Sequence, residues 1–227
     1  MFHNKLALYG NCTFATEILD CIEKTFDLSM ENLKPLNQLL EAINTPRFES
    51  LKGQFSQLIT PHLILKGRVL VDIGQVNSVI YFIQSGVIRS YYLKGSEDIT
   101  SRLIGEGEIA CIAESFFSQS ISEEVMETLE DTLVYSISYE AYRQLARVDL
   151  IVSELVIQLL EQRLVSFSER VKLFKYLTVE QRIEYYINQP GSLFRRVPDR
   201  YLATYLGTTP ATFSRCLKMV NTDKTQN

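Results

Sequence analysis

Two histidines, four cysteines and the absence of any long apolar run set the first limits on this 227-residue chain. His3 and His62 both precede the first strand-like run, so a β-barrel metal enzyme that ligates through a His cluster is not supported. Haem on either lone His fares no better, because isolated histidines are more often structural or solvated. Cys12, Cys21, Cys111 and Cys216 show no CxxC spacing. A [4Fe–4S] centre needs four well-placed thiolates, and Cys216 falls on the apolar side of a helix. Buried thiols in a reducing compartment are the plain reading. No Ser-His-Asp or Cys-His grouping reaches the strands, so no metal, no cofactor and no catalytic residue is expected. Apolar runs fall well short of the ~18 residues that span a bilayer. The opening stretch MFHNKLALYGNCTFATEILDCIEKTF has no clean apolar block or small-residue cleavage site, so the expectation is a cytoplasmic protein with no membrane partner.

What is present is 46% apolar residues, enough for a real core in one or two domains. Charge is unevenly spread. From Lys172 onward there are nine Lys and Arg against four Asp and Glu, whereas the first 171 residues hold 14 against 23. A basic end on an acidic body is the electrostatic footprint expected of a nucleic-acid-binding tail.

Residues 1–28 read as an arm or helix. Ser29 caps a helix to Ile43, with Leu33, Leu36, Leu39 and Leu40 on one face, and Arg47 to Ile59 forms another, closed by Thr60-Pro61. From Leu63 to Ser138 the period becomes two. Short β-rich runs are punctuated by Gly67, Gly74, Gly86, Gly95, Gly105 and Gly107, which argues for an antiparallel sandwich or barrel. Glu114 to Glu124, polar apart from Phe116, Phe117 and Ile121, interrupts the strands as a short helix plus loop.

Helical spacing returns from Tyr139 to about Tyr176. Val156, Leu160, Leu164, Phe167, Val171 and Phe174 form one stripe, with Val152, Leu155 and Leu159 beside it. Two stripes on one helix call for a partner helix as well as the chain's own core, most simply the same helix of a second copy. Thr178-Val-Glu-Gln181 is a capping box opening the next helix, which Pro190-Gly191 ends. Leu193–Val197 reads as extended.

The organising stretch is Val197 to Val220. Pro198 suits a first helical turn, Leu202, Ala203 and Leu206 give apolar spacing, and Gly207 ends the helix. Thr209 and Pro210 start a second helix with Phe213, Cys216, Leu217 and Val220 on its inner side. Small Ala203 and the glycine four residues on fit a helix-turn-helix. The outer face carries Ala211, Thr212, Ser214, Arg215 and Lys218, small or hydroxylic residues with two cations.

A β-roll, a long helix and a helix-turn-helix in this order resemble the Crp-Fnr family of bacterial transcription regulators, over roughly residues 30–220. RRVPDRYLATYLGTTPATFSR is similar to the family's helix-turn-helix with its closing Ser-Arg pair, in the wording of a Bacteroidetes-type branch. VIYFIQSGVIRSYY resembles the family's β-roll hairpin, and LEDTLVYSISYEAYRQL its passage from last strand to helices. The resemblance implies an α+β chain: β-roll sensor domain at 29–148, dimerisation helix at 149–176, helix-turn-helix domain of winged-helix type at 177–227. It further implies a non-enzymatic regulator whose partners are a pseudo-palindromic DNA site, a second copy of the chain and, as a further possibility, RNA polymerase. DNA contacts would fall to Thr208, Thr209, Ala211, Thr212, Ser214, Arg215, Lys218 and Arg200, and the dimer interface to Val156, Leu160, Leu164 and Phe167.

Two departures qualify it. Relatives that bind cyclic AMP carry an Arg-Ser/Thr pair that grips the cyclic phosphate, and a buried phosphodiester without a cation is costly. Here no Lys or Arg lies between Arg102 and Arg143, and Ser120 and Ser122 adjoin Glu123 and Glu124. This argues against cyclic AMP or cyclic GMP. A small-molecule effector, if one exists, would be apolar or neutral, lined by Ile109, Ile112, Phe116, Phe117, Ser120 and Ser122. The second departure is Ala211, where the family often has a Glu that accepts from cytosine, so the base code differs while Arg215 is retained for guanine. Seven residues after Val220 leave little room for wing strands. The alternative is a signalling or interaction protein that keeps the fold without reading DNA.

Overall fold

The structure, a computed structural model, describes residues 60–148, 150–189 and 191–223. The expected arm at 1–28 and the helices at Ser29–Ile43 and Arg47–Ile59 lie outside them. All described residues belong to one compact unit.

The alternating stretch folds into eight strands: β1 (Thr60–Ile64), β2 (Val69–Val71), β3 (Val79–Ser85), β4 (Ile88–Lys94), β5 (Glu97–Ile104), β6 (Ile109–Ala110), β7 (Glu124–Thr128) and β8 (Thr132–Ser138). They form two antiparallel four-stranded sheets, ordered β1-β8-β3-β6 and β2-β7-β4-β5. Val71, Ile83, Ile88, Ile104, Ala110, Met126 and Val134 come from both sheets and form one buried cluster, so the core sits between them. β1 starts three residues before the alternation marks it. Pro61, expected to close a helix, instead pairs opposite Tyr135, which an edge strand allows because its outer N–H is not needed.

Helix α1 (Ala113–Ser118) interrupts the strands as expected. After β8 come α2 (Tyr139–Val148), α3 (Leu150–Tyr176), α4 (Val179–Ile187), α5 (Asp199–Tyr205) and α6 (Pro210–Asp223). The box opening α4 is complete: the Thr178 hydroxyl accepts from Gln181 N, and the Gln181 side chain accepts from Thr178 N. Two expectations are corrected. Leu193–Arg195 is a 3-10 turn rather than an extended segment, because the Ser192 hydroxyl accepts from Phe194 N and Arg196 N donates to the Leu193 carbonyl. Pro198 is the N-cap of α5, with ψ at 139°, one residue ahead of the first turn. Among the described residues no helix is long and apolar enough to cross a membrane.

The second buried cluster lies in the terminal helices: Ile183, Val197, Tyr201, Leu202, Ala203, Leu206, Phe213, Cys216 and Val220. Val87, from the β3–β4 turn, belongs to it too, and Leu103 of β5 packs on it. The helices therefore share a core with one sheet. A β-bulge makes this possible. Ser90 pairs with Arg102 but Tyr91 with Thr100, so one extra β5 residue, Ser101, is inserted, and Thr100 and Leu103 both turn toward the helices.

Gly86 fixes the turn that presents Val87. Its φ is +112°, and a Cβ there would lie 2.5 Å from the Thr132 hydroxyl. Thr132 is fully buried and cannot retreat. Gly86→Ala combines backbone strain with overpacking, so chemical denaturation should show a loss of roughly 2–4 kcal/mol.

Candidate nucleic-acid interface

The turn between α5 and α6 is built as the sequence requires. Gly207 adopts φ +69°, Gly207 N donates to the Thr204 carbonyl and Thr208 N to the Ala203 carbonyl, the paired bonds of a Schellman ending. A Cβ on Gly207 would also lie 3.0 Å from the Phe174 ring. The last carbonyls of α5 are taken by two cations. Arg170 donates to the Tyr205 carbonyl at 2.9 Å and Arg182 to the Leu206 carbonyl at 2.6 Å. Both guanidinium groups also lie over the Phe174 ring, at 4.9 and 4.7 Å. Positive charge at a helix C-terminus is favourable, and this pair ties α5 to α3 and α4. Phe174 is consequently half-buried here rather than part of the exposed stripe of α3.

α6 opens with Thr209, whose hydroxyl accepts from Thr212 N at 3.2 Å and lies 3.1 Å from the Thr212 hydroxyl. Its inner face is closed: Phe213, Cys216 and Val220 are buried, and the Cys216 thiol donates to Glu180. Its outer face is open. Ala211, Ser214, Arg215 and Lys218 are exposed, Thr208 and Thr212 half-buried. Arg200 is exposed at the start of α5, its guanidinium 4.5 Å from the Tyr201 ring centre and donating to the Tyr201 hydroxyl. The structure thus brings Arg215 and Lys218 onto one face of one helix, with Arg200 on the preceding helix.

A third feature was not anticipated: α5 lies on the outer face of β4 and β5. Arg89 of β4 has no exposed surface. Its Nε donates to the Thr100 hydroxyl, and one Nη donates to Asp98 at 2.8 Å and Glu127 at 3.2 Å. The guanidinium lies 4.3 Å from the Tyr91 ring and 3.6 Å from that of Tyr201, which covers it from α5. Beside it the Thr204 hydroxyl accepts from Thr100 N at 3.1 Å. At the near end of the sheets Arg196 pairs with Glu106 and Glu130. Burial would raise the Glu106 carboxyl, yet hydrogen bonds from Arg196 and from Gly86 N hold it at about 2. Arg196 is thus occupied, while Arg195 beside it is exposed.

The candidate effector residues are placed as follows. Phe116 is fully buried, its ring against Phe117, Tyr139 and Tyr142 at 5.3 to 5.6 Å, and Phe117 is exposed on its outer side. Ile112 is buried and Ile109 half-buried. The Ser122 hydroxyl donates to the Glu124 carbonyl, and that of Ser120 lies 2.8 Å from Ser118 in solvent. A cation does approach this stretch, from β5. Arg102 donates to the carbonyls of Cys111 and Ile109, at 3.0 and 3.1 Å, and burial pulls it below the ordinary guanidinium value. The gap in basic residues from 103 to 142 hid it, because the sheet brings it in from across a turn.

No protein-family model matches the chain, and no curated protein matches it. Solved structures do. FixK2 from Bradyrhizobium japonicum matches with TM-score 0.62 at 19% identity, over 73% of this chain and 86% of its own. A protein described as a transcriptional regulator of the crp/fnr family, from Eubacterium rectale, matches with TM-score 0.62 at 17% identity, over 79% and 88%. The c-di-GMP responsive global regulator CLP from Xanthomonas campestris matches with TM-score 0.58 at 19% identity, over 76% and 91%. Over about three quarters of its length this chain has the fold of the Crp/Fnr regulators.

Proposed function

We propose that the chain is a sequence-specific DNA-binding transcription regulator of the Crp/Fnr family, acting as a homodimer, with α5 and α6 as its helix-turn-helix. The observation that carries this reading is the division of α6. One face is sealed into the terminal core, and the other presents Ala211, Ser214, Arg215 and Lys218 to solvent. A helix fixed by a buried face and a double-capped turn, with small residues and cations outward, suits entry into a major groove.

The dimer reading rests on α3. Ile157, Leu160, Leu164 and Phe167 are 54%, 47%, 68% and 64% exposed, an apolar stripe too large to leave in water. The side chain of Val156, expected in the same stripe, lies outside the described residues. Pairing two copies along this stripe sets two α6 helices for successive major grooves about 34 Å apart.

The sensor half of the reading is that the usual cyclic-phosphate grip is missing. Of the cations that reach residues 105–124, Arg196 is engaged by Glu106 and Arg102 donates to two main-chain carbonyls. Freeing Arg102 for a phosphate means taking that partner from two part-buried acceptors.

Leu160→Asp with Leu164→Asp should give a folded monomer, read by light scattering and circular dichroism; a parent chain already monomeric at tens of micromolar would overturn the dimer. Arg215→Ala should remove roughly 1–3 kcal/mol of discrimination and flatten preference at one base position per half-site in a binding-site selection. Lys218→Ala should weaken all sequences alike and lower the salt dependence by about one ion per half-site. An unchanged preferred sequence in Arg215→Ala would remove that residue from base reading.

A further inference from the structure

The turns at one end of the two sheets converge on a single side chain. Arg196 stands between the 3-10 turn Leu193–Arg195 and the N-cap of α5. Its two Nη atoms donate to both oxygens of Glu106, at 2.9 and 2.7 Å, a bidentate fork. It also pairs with Glu130, in the β7–β8 turn. Glu106 in turn accepts from Gly86 N, in the β3–β4 turn, at 2.9 Å. Three turns are thus joined through one guanidinium. Leu193 closes on the same place, since a Cβ on Gly105 would lie 3.0 Å from its side chain.

The Gly105–Glu108 loop is itself tied to the core. Gly107 N donates to the Ile83 carbonyl and Ile83 N to the Glu108 carbonyl. The loop runs straight into β6, where Ala110 is fully buried and the Ile109 carbonyl is held by Arg102. A displacement of β6 therefore reaches Glu106 within three residues.

An isolated surface ion pair contributes little, but a bidentate fork within a three-member network is the exception to that rule. Its position matters more than its strength. Arg196 precedes α5, whereas Tyr201 over Arg89 and Thr204 on Thr100 hold the helix itself further along, with Val87 and Leu103 in the shared core. The fork therefore fixes the segment by which the chain enters α5.

We propose that Arg196 is a positioning residue that ties the orientation of the α5–α6 unit to the Gly105–Glu108 loop, so that displacing this loop loosens the start of α5 on the sheet. The effect on docking stands without any assumption about DNA. Its consequence for affinity rests on the reading of α6 given above.

The Thr100 amide reports docking directly, because β5 is an edge strand and this N–H is covered by Thr204. In the full chain, Arg196→Glu should speed exchange of that amide by about tenfold while core amides such as Met126 and Val134 keep their protection. Arg196→Lys keeps a cation between Glu106 and Glu130 and leaves the Glu106 carboxylate to accept from Gly86 N. It should hold exchange within about twofold of the parent, which separates loss of the charge from loss of side-chain bulk. DNA affinity should fall in Arg196→Glu and stay near the parent's in Arg196→Lys. Should Arg196→Glu fail to fold, Arg196→Gln gives the same test with a smaller increase of about fivefold. Unchanged Thr100 protection in folded Arg196→Glu or Arg196→Gln, or exchange in Arg196→Lys as fast as in Arg196→Gln, overturns the proposal. Loss of protection in Arg196→Glu and its retention in Arg196→Lys, with no DNA binding by any form, upholds the docking role and removes the DNA reading instead.

Discussion

A guanidinium with no exposed surface dictates how this molecule is put together. Burying a charge the size of that of Arg89 costs several kcal/mol unless partners and stacking replace the lost water. β4 and its neighbours supply Asp98, Glu127, Thr100 and the Tyr91 ring. Tyr201 of α5 completes the enclosure by lying over the guanidinium at 3.6 Å. One Nη still lacks a hydrogen-bond partner among the described residues, so the arrangement is satisfied only in part. The sheet therefore requires a cover, and α5 is that cover.

From this constraint the placement of the other terminal elements follows. With α5 on β4 and β5, Val87 and Leu103 enter the core of the helices, and the β-bulge at Ser101 aligns Thr100 beneath Thr204. Arg170 and Arg182 hold the far end of α5 from α3 and α4, so the helix is anchored at both ends before the turn at Gly207. α6 then leaves with its cations outward. The exposed stripe of α3 and the outer face of α6 are thereby held in one frame, which a dimeric reader of DNA needs.

Much of this was legible because it depends on neighbours in sequence. The period-two runs with glycine turns gave the two sheets. The Thr178 box and the Gly207 ending are local chemistry, as is the division of α6 into a buried and an open face. What was not legible depends on contacts across the fold. Alternation puts Arg89 on the outer side of β4, but nothing near it in sequence announces that Tyr201, over a hundred residues later, covers it. Arg102 stands at the edge of the stretch without basic residues, and only the folding of β5 back toward Cys111 brings its guanidinium into it. Phe174 fits the apolar stripe of α3 by spacing, yet two arginines and Gly207 draw it against the end of α5. Leu193–Val197 looked extended because the Ser192 hydroxyl that nucleates its turn is a single short-range bond.

Whether the outer face of α6 reads bases is most directly measured by selecting binding sites for the unmutated chain from random duplex DNA. The expected result is one enriched motif with two-fold symmetry and half-sites about one helical turn apart. Enrichment of no sequence, by a chain that is folded and dimeric, would contradict it and leave an interaction protein built on the same fold.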